Sequence, residues 1–345
     1  MIHPARQKIE GVSEMKFMLI LGIVLIHSNL SGNYSISTVN ENIGLKIIDW
    51  ISGYVCHGCV PSFFIISAYL FFNGMVRFTP SIYAEKLKRR AHSLLIPYLL
   101  WCSFCAILLF VKHLHLNASG LGIFLDNGTI NWVNFIKGYW AIESLGNMPY
   151  AFAFWFIRNL IVFIIISPLA WLIGRHRWLT VIMFAIILIF DIDLYGFEWF
   201  VAGTFLATNG INIPSISTKQ AIFIIGTFLV SSILLWYCSP RLFPIIGFIQ
   251  VLFTILTVCY FSGKIKTIRS LKPLIASTFM IYAVHQCFCT RMRIIWENIW
   301  GVESVFCALL AYTCCFLSLV LISFIAYLIL KRFSPRFLAL ITGGR

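Results

Sequence analysis

The sequence predicts an all-α fold, a polytopic membrane bundle of about ten transmembrane helices. Three observations carry this. Apolar residues make up 60% of the 345-residue chain and charged residues only 11%, against about a quarter charged in ordinary soluble domains. Mean hydropathy is +0.91. Apolar stretches recur along the whole length, and a bilayer core of about 30 Å asks about 20 such residues of each helix. No soluble core could take up that much apolar surface. Composition therefore excludes a cytosolic enzyme, a disordered chain and a disulfide-stapled secreted module. No repeat, linker or low-complexity tract interrupts the chain, so residues 1–345 read as one integral-membrane domain.

The stretches lie near 12–30, 54–73, 92–111, 152–173, 178–190, 195–208, 220–238, 243–262, 274–290 and 304–330. Backbone polar groups cannot go unpaired in lipid, so runs of this length are read as helices. The first carries Glu14 and Lys16 and lacks a small-residue cleavage site, so it is expected to be retained and not removed as a signal. The pair 178–190 and 195–208 is short and joined by Asp191-Ile192-Asp193. It reads as a tilted or partly re-entrant hairpin, and as a pair it leaves sidedness unchanged. The longest outer loop, 112–151, holds Trp132, Phe135, Tyr139 and Trp140 among polar residues. That suits a segment lying in the membrane interface, or an ordered loop with buried aromatics. Of the eleven cysteines, Cys56/Cys59 and Cys102/Cys105 have CxxC spacing. The first pair falls near the outer face and the second in mid-membrane, so they do not combine into one four-ligand zinc site. Both read as small apolar residues, with a disulfide open to Cys56/Cys59 on an oxidising side. No metal is expected.

The formal net charge of +14 is mostly topology. Of 26 lysines and arginines, six fall on outer segments (Lys46, Lys112, Lys137, Arg241, Arg291, Arg293), Arg158 falls within a span, and the other nineteen fall on inner segments. An inner excess of that size puts both termini in the cytoplasm. It also accounts for the basic balance without nucleic acid.

Ionisable groups inside spans are costly and are functional candidates for that reason. Lys16 and His27 stand eleven residues apart on the first helix. Three turns separate them, so they share a face with a rise of roughly 16 Å. The bland readings are a lysine snorkelling to the inner interface and an interfacial histidine without chemistry. Arg158 follows Trp155-Phe156 in a helix entering from outside, where an ion pair with Glu143 or Glu198 would be its structural role. His285 lies in the outer half of the ninth stretch, where a satisfied core histidine is the alternative. If their helices adjoin, His27, Arg158 and His285 form one polar site at outer-half depth. On the cytoplasmic side, Lys86, Lys88, Arg89 and Arg90 precede the third stretch. Such a run meets lipid headgroups or a phosphorylated ligand.

Five blocks, in order, carry a resemblance. Lys16…Gly22-Ile23-Val24-Leu25-Ile26-His27-Ser28 resembles the first helix of the acyltransferase family 3 membrane proteins. Val60-Pro61-Ser62-Phe63-Phe64-Ile65-Ile66-Ser67 is similar to that family's proline, double-phenylalanine, serine motif. Lys88-Arg89-Arg90 with Ile96-Pro97-Tyr98-Leu99-Leu100-Trp101, Trp155-Phe156-Ile157-Arg158-Asn159-Leu160, and Phe279-Met280-Ile281-Tyr282-Ala283-Val284-His285 match three later blocks. The chain departs from the pattern at Lys16, where an arginine is typical, at Ala68, often glycine, and at Ser13, often acidic. Lysine keeps the charge but not the bidentate fork.

The resemblance implies a bacterial inner-membrane O-acyltransferase that takes its acyl group from acyl-CoA, acetyl-CoA foremost. The acceptor would be a hydroxyl of a cell-surface or lipid-linked glycan. Lys16, Lys86, Lys88, Arg89 and Arg90 are then expected to hold the donor's phosphates at the inner face. His27 is expected to act as general base, with Arg158 or His285 stabilising the oxyanion or orienting the acceptor. Ser67 is a lesser candidate for a covalent acyl-enzyme. Expected partners are acyl-CoA, the glycan acceptor and membrane lipids. The competing class is a transporter or flippase for a glycolipid intermediate, although the inverted repeats common in transporters are not evident.

Overall fold

The computed structural model describes residues 11–116, 125–126, 129–142, 146–212 and 216–344. The chain runs through α1 (Val12–His27), α2 (Ile36–Glu41), α3 (Ile43–Asp49), α4 (Cys59–Phe72), α5 (Pro80–Arg90) and α6 (Ile96–Leu116). A hairpin of two-residue strands, β1 (Leu125–Asp126) and β2 (Thr129–Ile130), precedes α7 (Trp132–Lys137), α8 (Trp155–Ile165), α9 (Ser167–Gly174), α10 (Arg177–Phe190) and α11 (Phe197–Thr208). Then come α12 (Thr218–Tyr237), α13 (Phe243–Ile265), α14 (Lys272–Ala276), α15 (Thr278–Trp300), α16 (Val305–Phe333) and α17 (Pro335–Thr342).

Every apolar stretch of the sequence is therefore helical, as the lipid argument requires. Among the described residues, six helical runs are long and apolar enough to cross a bilayer: Val12–Asn33, Ile43–Phe72, Pro80–Val111, Thr218–Tyr237, Phe243–Ile265 and Val305–Phe333. Residues 152–174, broken between α8 and α9, make a seventh if counted as one span. The polytopic helical architecture stands, but length and composition do not yield ten crossings. Helices α10 and α11 have only 14 and 12 residues. Helix α15 has 23 but carries Arg291, Arg293 and Glu297 in its second half. The sequence reading ended this stretch at 290 and assigned both arginines to an outer loop. The helix continues through them to Trp300.

The chain divides into two compact units, Met1–Phe78 with Ser167–Tyr327, and Thr79–Ile166 with Leu328–Arg345. In the first, α1 packs against α4, α13, α15 and a π-helical turn, Trp50–Val55. Gly22 lets α1 approach α4 closely, since a Cβ there would sit 2.4 Å from the Cys59 Sγ. Cys56 and Cys59 are both buried free thiols against this contact, which fits the reading of the first CxxC as packing. Gly203 plays the same part between α11 and α4, where a Cβ would lie 2.1 Å from the Ile65 carbonyl oxygen. A π turn leaves carbonyls out of α-helical pairing, and two of them are used. Gln250 Nε2 donates to the Tyr54 and Val55 carbonyls at 3.2 and 3.4 Å, while Gln250 Oε1 accepts from the Ser231 hydroxyl. Gln250 is fully buried, so these bonds tie α12 and α13 to the turn.

In the second unit the basic helix α5 continues through a π-helical turn, Ala91–Leu95, into apolar α6. Trp101 Nε1 donates to the Ile341 carbonyl at 3.1 Å, pinning α17 to α6. The short helix α7 exposes Trp132, Val133 and Ile136, and Trp140 beyond it is also exposed. Phe135, Tyr139 and Tyr150 pack together with ring centroids 5.5–6.1 Å apart. This loop thus combines an outward apolar face with an ordered aromatic cluster.

Candidate active site

Helix α1 ends where its side chains become polar. The Ser28 hydroxyl donates back to the Val24 carbonyl at 2.8 Å, and a 3-10 turn, Ser31–Asn33, follows. His27 is thus the last residue of α1 and half-buried. Helix α15 lies alongside with His285 fully buried, and the two imidazole centroids are 5.2 Å apart at 43°. The expectation that these helices adjoin holds for this pair.

The pair is chemically asymmetric. His285 Nδ1 lies 2.9 Å from the Ile281 carbonyl oxygen. A carbonyl oxygen only accepts, so Nδ1 carries the hydrogen. In that neutral tautomer Nε2 has a bare lone pair, and it is buried without a partner. His285 is therefore poised as an acceptor. It has no N–H left to stabilise an oxyanion, one of the two roles considered for it.

The polar groups continue outward along one stripe of α15. His285, Cys289, Arg293 and Glu297 recur every four residues, a spacing that keeps them on one helix face. Cys289 Sγ donates to the His27 carbonyl at 2.8 Å, and Arg293 Nη1 donates to the Asn29 carbonyl at 3.2 Å. Glu297 accepts from Asn33 Nδ2 at 3.0 Å and from the Tyr34 hydroxyl. Partial burial, then the Glu297 carboxylate, holds the Tyr34 phenol above the usual tyrosine range. Behind the 27–34 segment, the Tyr312 hydroxyl donates to the Leu25 carbonyl at 3.1 Å and lies 2.9 Å from the Ser52 hydroxyl. Leu30, Leu45, Ile48, Ala308, Ala311 and Tyr312 form the apolar core beneath it. The sequence reading missed Cys289, Arg293 and Glu297. Their four-residue spacing from His285 was the available signal.

The other expected site residues fall elsewhere. Lys16 is half-buried on α1. Ser67 lies on α4 eight residues beyond Cys59, or about 12 Å along that axis at about 1.5 Å per residue. Cys59 meets α1 at Gly22, and His27 is a further five residues toward the other end of α1. Among the described residues, no hydrogen bond joins Ser67 to His27 or His285. Arg158 is in the second unit, in the first turn of α8. It sits at the entry to the helix. Its Nη1 donates to the Trp140 and Asn147 carbonyls at 2.6 and 3.0 Å, and its Nε donates to Asn159 Oδ1 at 3.2 Å. Its guanidinium also lies 5.5 Å from the Trp140 ring centroid. Of the carboxylates considered as its partner, Glu143 lies outside the described residues and Glu198 belongs to the other unit. Arg158 thus ties Trp140 and Asn147 to the start of α8. On α5, Lys88 and Arg89 are exposed, Lys86 and Arg90 are half-buried, and Arg89 pairs with Glu85 one turn before it. Among the described residues no group of three or more His, Cys, Asp or Glu is arranged to hold a metal ion.

The family pattern described as an acyltransferase domain matches residues 11–328. The chain belongs to acyltransferase family 3. As a member of that family it is a membrane acyltransferase moving groups other than aminoacyl groups, and the transporter or flippase alternative is set aside. It is also similar to a succinoglycan biosynthesis protein, ExoH, of Rhizobium meliloti (strain 1021), at 25% identity over 97% of this chain and 92% of that protein. No solved structure matches the chain. The acyltransferase match spans α1 through most of α16, and so includes both histidines.

Proposed function

We propose that the protein is an O-acyltransferase that moves a short acyl group, acetyl in the first instance, from acyl-CoA to a hydroxyl of a surface or lipid-linked polysaccharide. The paired histidines at the outer end of α1 carry this reading. The similarity to a succinoglycan biosynthesis protein supports a polysaccharide acceptor, and the family supports an acyl donor. The charge asymmetry supports a bacterial inner membrane with both termini cytoplasmic. The CoA phosphates are taken up at the cytoplasmic face by the basic residues Lys86, Lys88, Arg89 and Arg90 of α5.

His27 is the general base. It stands at the end of α1, half-buried beside His285, and a neutral imidazole there offers a nitrogen lone pair to an acceptor hydroxyl. His285 is the acceptor behind it, its tautomer fixed by Ile281. Direct transfer is favoured over an acyl-enzyme on Ser67, because a nucleophile must lie within hydrogen-bond reach of its base. General-base help contributes about 10²–10⁴-fold. The test uses membranes containing wild-type or His27→Ala protein, given radiolabelled acetyl-CoA and the polysaccharide fraction of the producing cells. Label should enter polysaccharide with the wild type and fall at least a hundredfold with His27→Ala at equal protein level. Equal labelling would overturn the assignment of His27.

A further inference from the structure

A base accounts for one charge in acyl transfer. When the acceptor oxygen attacks the acyl carbon, the carbonyl π electrons move onto oxygen, and a fixed donor must meet that oxyanion where water is excluded. Neither donor suggested by the sequence suits this. His285 has committed its N–H to Ile281 and keeps only a lone pair. Arg158 spends Nη1 and Nε on Trp140, Asn147 and Asn159.

Arg293 differs from both. Its Nη1 is anchored to the Asn29 carbonyl, two residues past His27, and Cys289 one turn earlier on the same stripe is anchored to the His27 carbonyl itself. The guanidinium is thus held against the end of α1 from two positions and lies within electrostatic range of His27. Its Nε is buried and has no hydrogen-bond partner. A buried donor without a partner is costly, the more so when it is charged. Arginine cannot escape that cost by deprotonating. An unfilled, charged, pre-oriented N–H beside a general base is what an oxyanion site requires.

We propose that Arg293 is a catalytic residue whose Nε–H donates to the carbonyl oxygen of the transferred acyl group. This rests on His27 as base. His27 takes the acceptor hydroxyl proton and the C–O bond forms. The resulting oxyanion accepts from Arg293 Nε. Its collapse breaks the C–S bond, and the proton on His27 passes to the departing thiolate, leaving an ester and free CoA. Only Nη1, through Asn29, then serves the fold.

The test compares Arg293→Ala, Arg293→Lys and His27→Ala in the purified full-length protein, using radiolabelled acetyl-CoA and the polysaccharide fraction of the producing cells. Removing one oxyanion donor costs about 10²–10³ in kcat. Arg293→Ala should therefore lose that much in kcat with KM for acetyl-CoA unchanged, and added methylguanidinium should restore part of the turnover. Lysine can reach the Asn29 carbonyl but has no Nε–H, so Arg293→Lys should keep the wild-type melting temperature and still lose at least tenfold in kcat. Wild-type kcat in Arg293→Lys overturns the proposal, as does a loss confined to KM, or unfolding of Arg293→Lys that marks the residue as structural. An active Arg293→Lys beside an inactive His27→Ala removes the oxyanion assignment and leaves the base. The reverse pattern removes the base and leaves the donor.

Discussion

The position of His27 depends on Gly22, five residues earlier on the same helix, and this dependence can be tested. A Cβ at position 22 would lie 2.4 Å from the Cys59 sulfur, whereas ordinary contact is 3.4–4 Å. Gly22→Ala therefore forces α1 and α4 apart, or the thiol aside, by about 1 Å. The thiol has little room, because the Cys56 sulfur lies 3.8 Å from the same point. Overpacking of this kind costs about 1–3 kcal/mol. A misplacement of about 1 Å at reacting groups can cost about 10²-fold in rate. Gly22→Ala should therefore lower the melting temperature of the detergent-purified protein by several degrees and reduce acyl transfer by tenfold or more. Cys59→Ala removes the obstructing sulfur, so the double variant should recover most of both losses, while Cys59→Ala alone should be mild. A Gly22→Ala protein as stable and active as wild type would refute the reasoning. So would a double variant no better than Gly22→Ala.

Further consequences follow from other contacts. Replacing Gln250 by leucine removes the Nε2 donor from the Tyr54 and Val55 carbonyls, and should destabilise the fold by about 1–3 kcal/mol in denaturation melts. Arg158→Lys loses the forked donor that joins Trp140, Asn147 and Asn159. It should make the chain around Trp140 and Asn147 more susceptible to limited proteolysis while leaving α1 and α15 protected from hydrogen exchange. Substituting Lys86, Lys88, Arg89 and Arg90 together by glutamine should raise KM for acetyl-CoA with little change in kcat, and should blunt the salt dependence of that KM. Glu85→Ala removes an exposed pair worth about 0.3–0.5 kcal/mol, so the melting temperature should hardly move.

The fold class and the histidine pair were legible because lipid imposes few rules and imposes them strongly. Long apolar runs become helices, and an imidazole within one, such as His27 or His285, stands out. Boundaries were less legible. The second half of α15 looks like a loop to any reading based on hydropathy, since Arg291, Arg293 and Glu297 dilute the apolar run. The backbone continues because the helix satisfies itself while its polar stripe finds partners on residues 27–34. The partners of Arg158 were illegible for the opposite reason. Its neighbours are apolar, but its side chain turns back to loop carbonyls that no spacing rule connects to it. Ser67 matched a motif in sequence, and a motif does not say whether a hydroxyl finds a histidine partner in the fold.

The π-helical turn at Trp50–Val55 also limits how the chain can vary in length. Such a turn holds one residue more than an α-helix would over the same span. Deleting one residue within it would give a more regular helix, yet it would swing everything downstream by about 100° around the axis. Cys59 would leave Gly22, and the carbonyls that Gln250 reads would vanish. Among relatives, this segment should tolerate exchanges of side chain far better than gains or losses of a single residue.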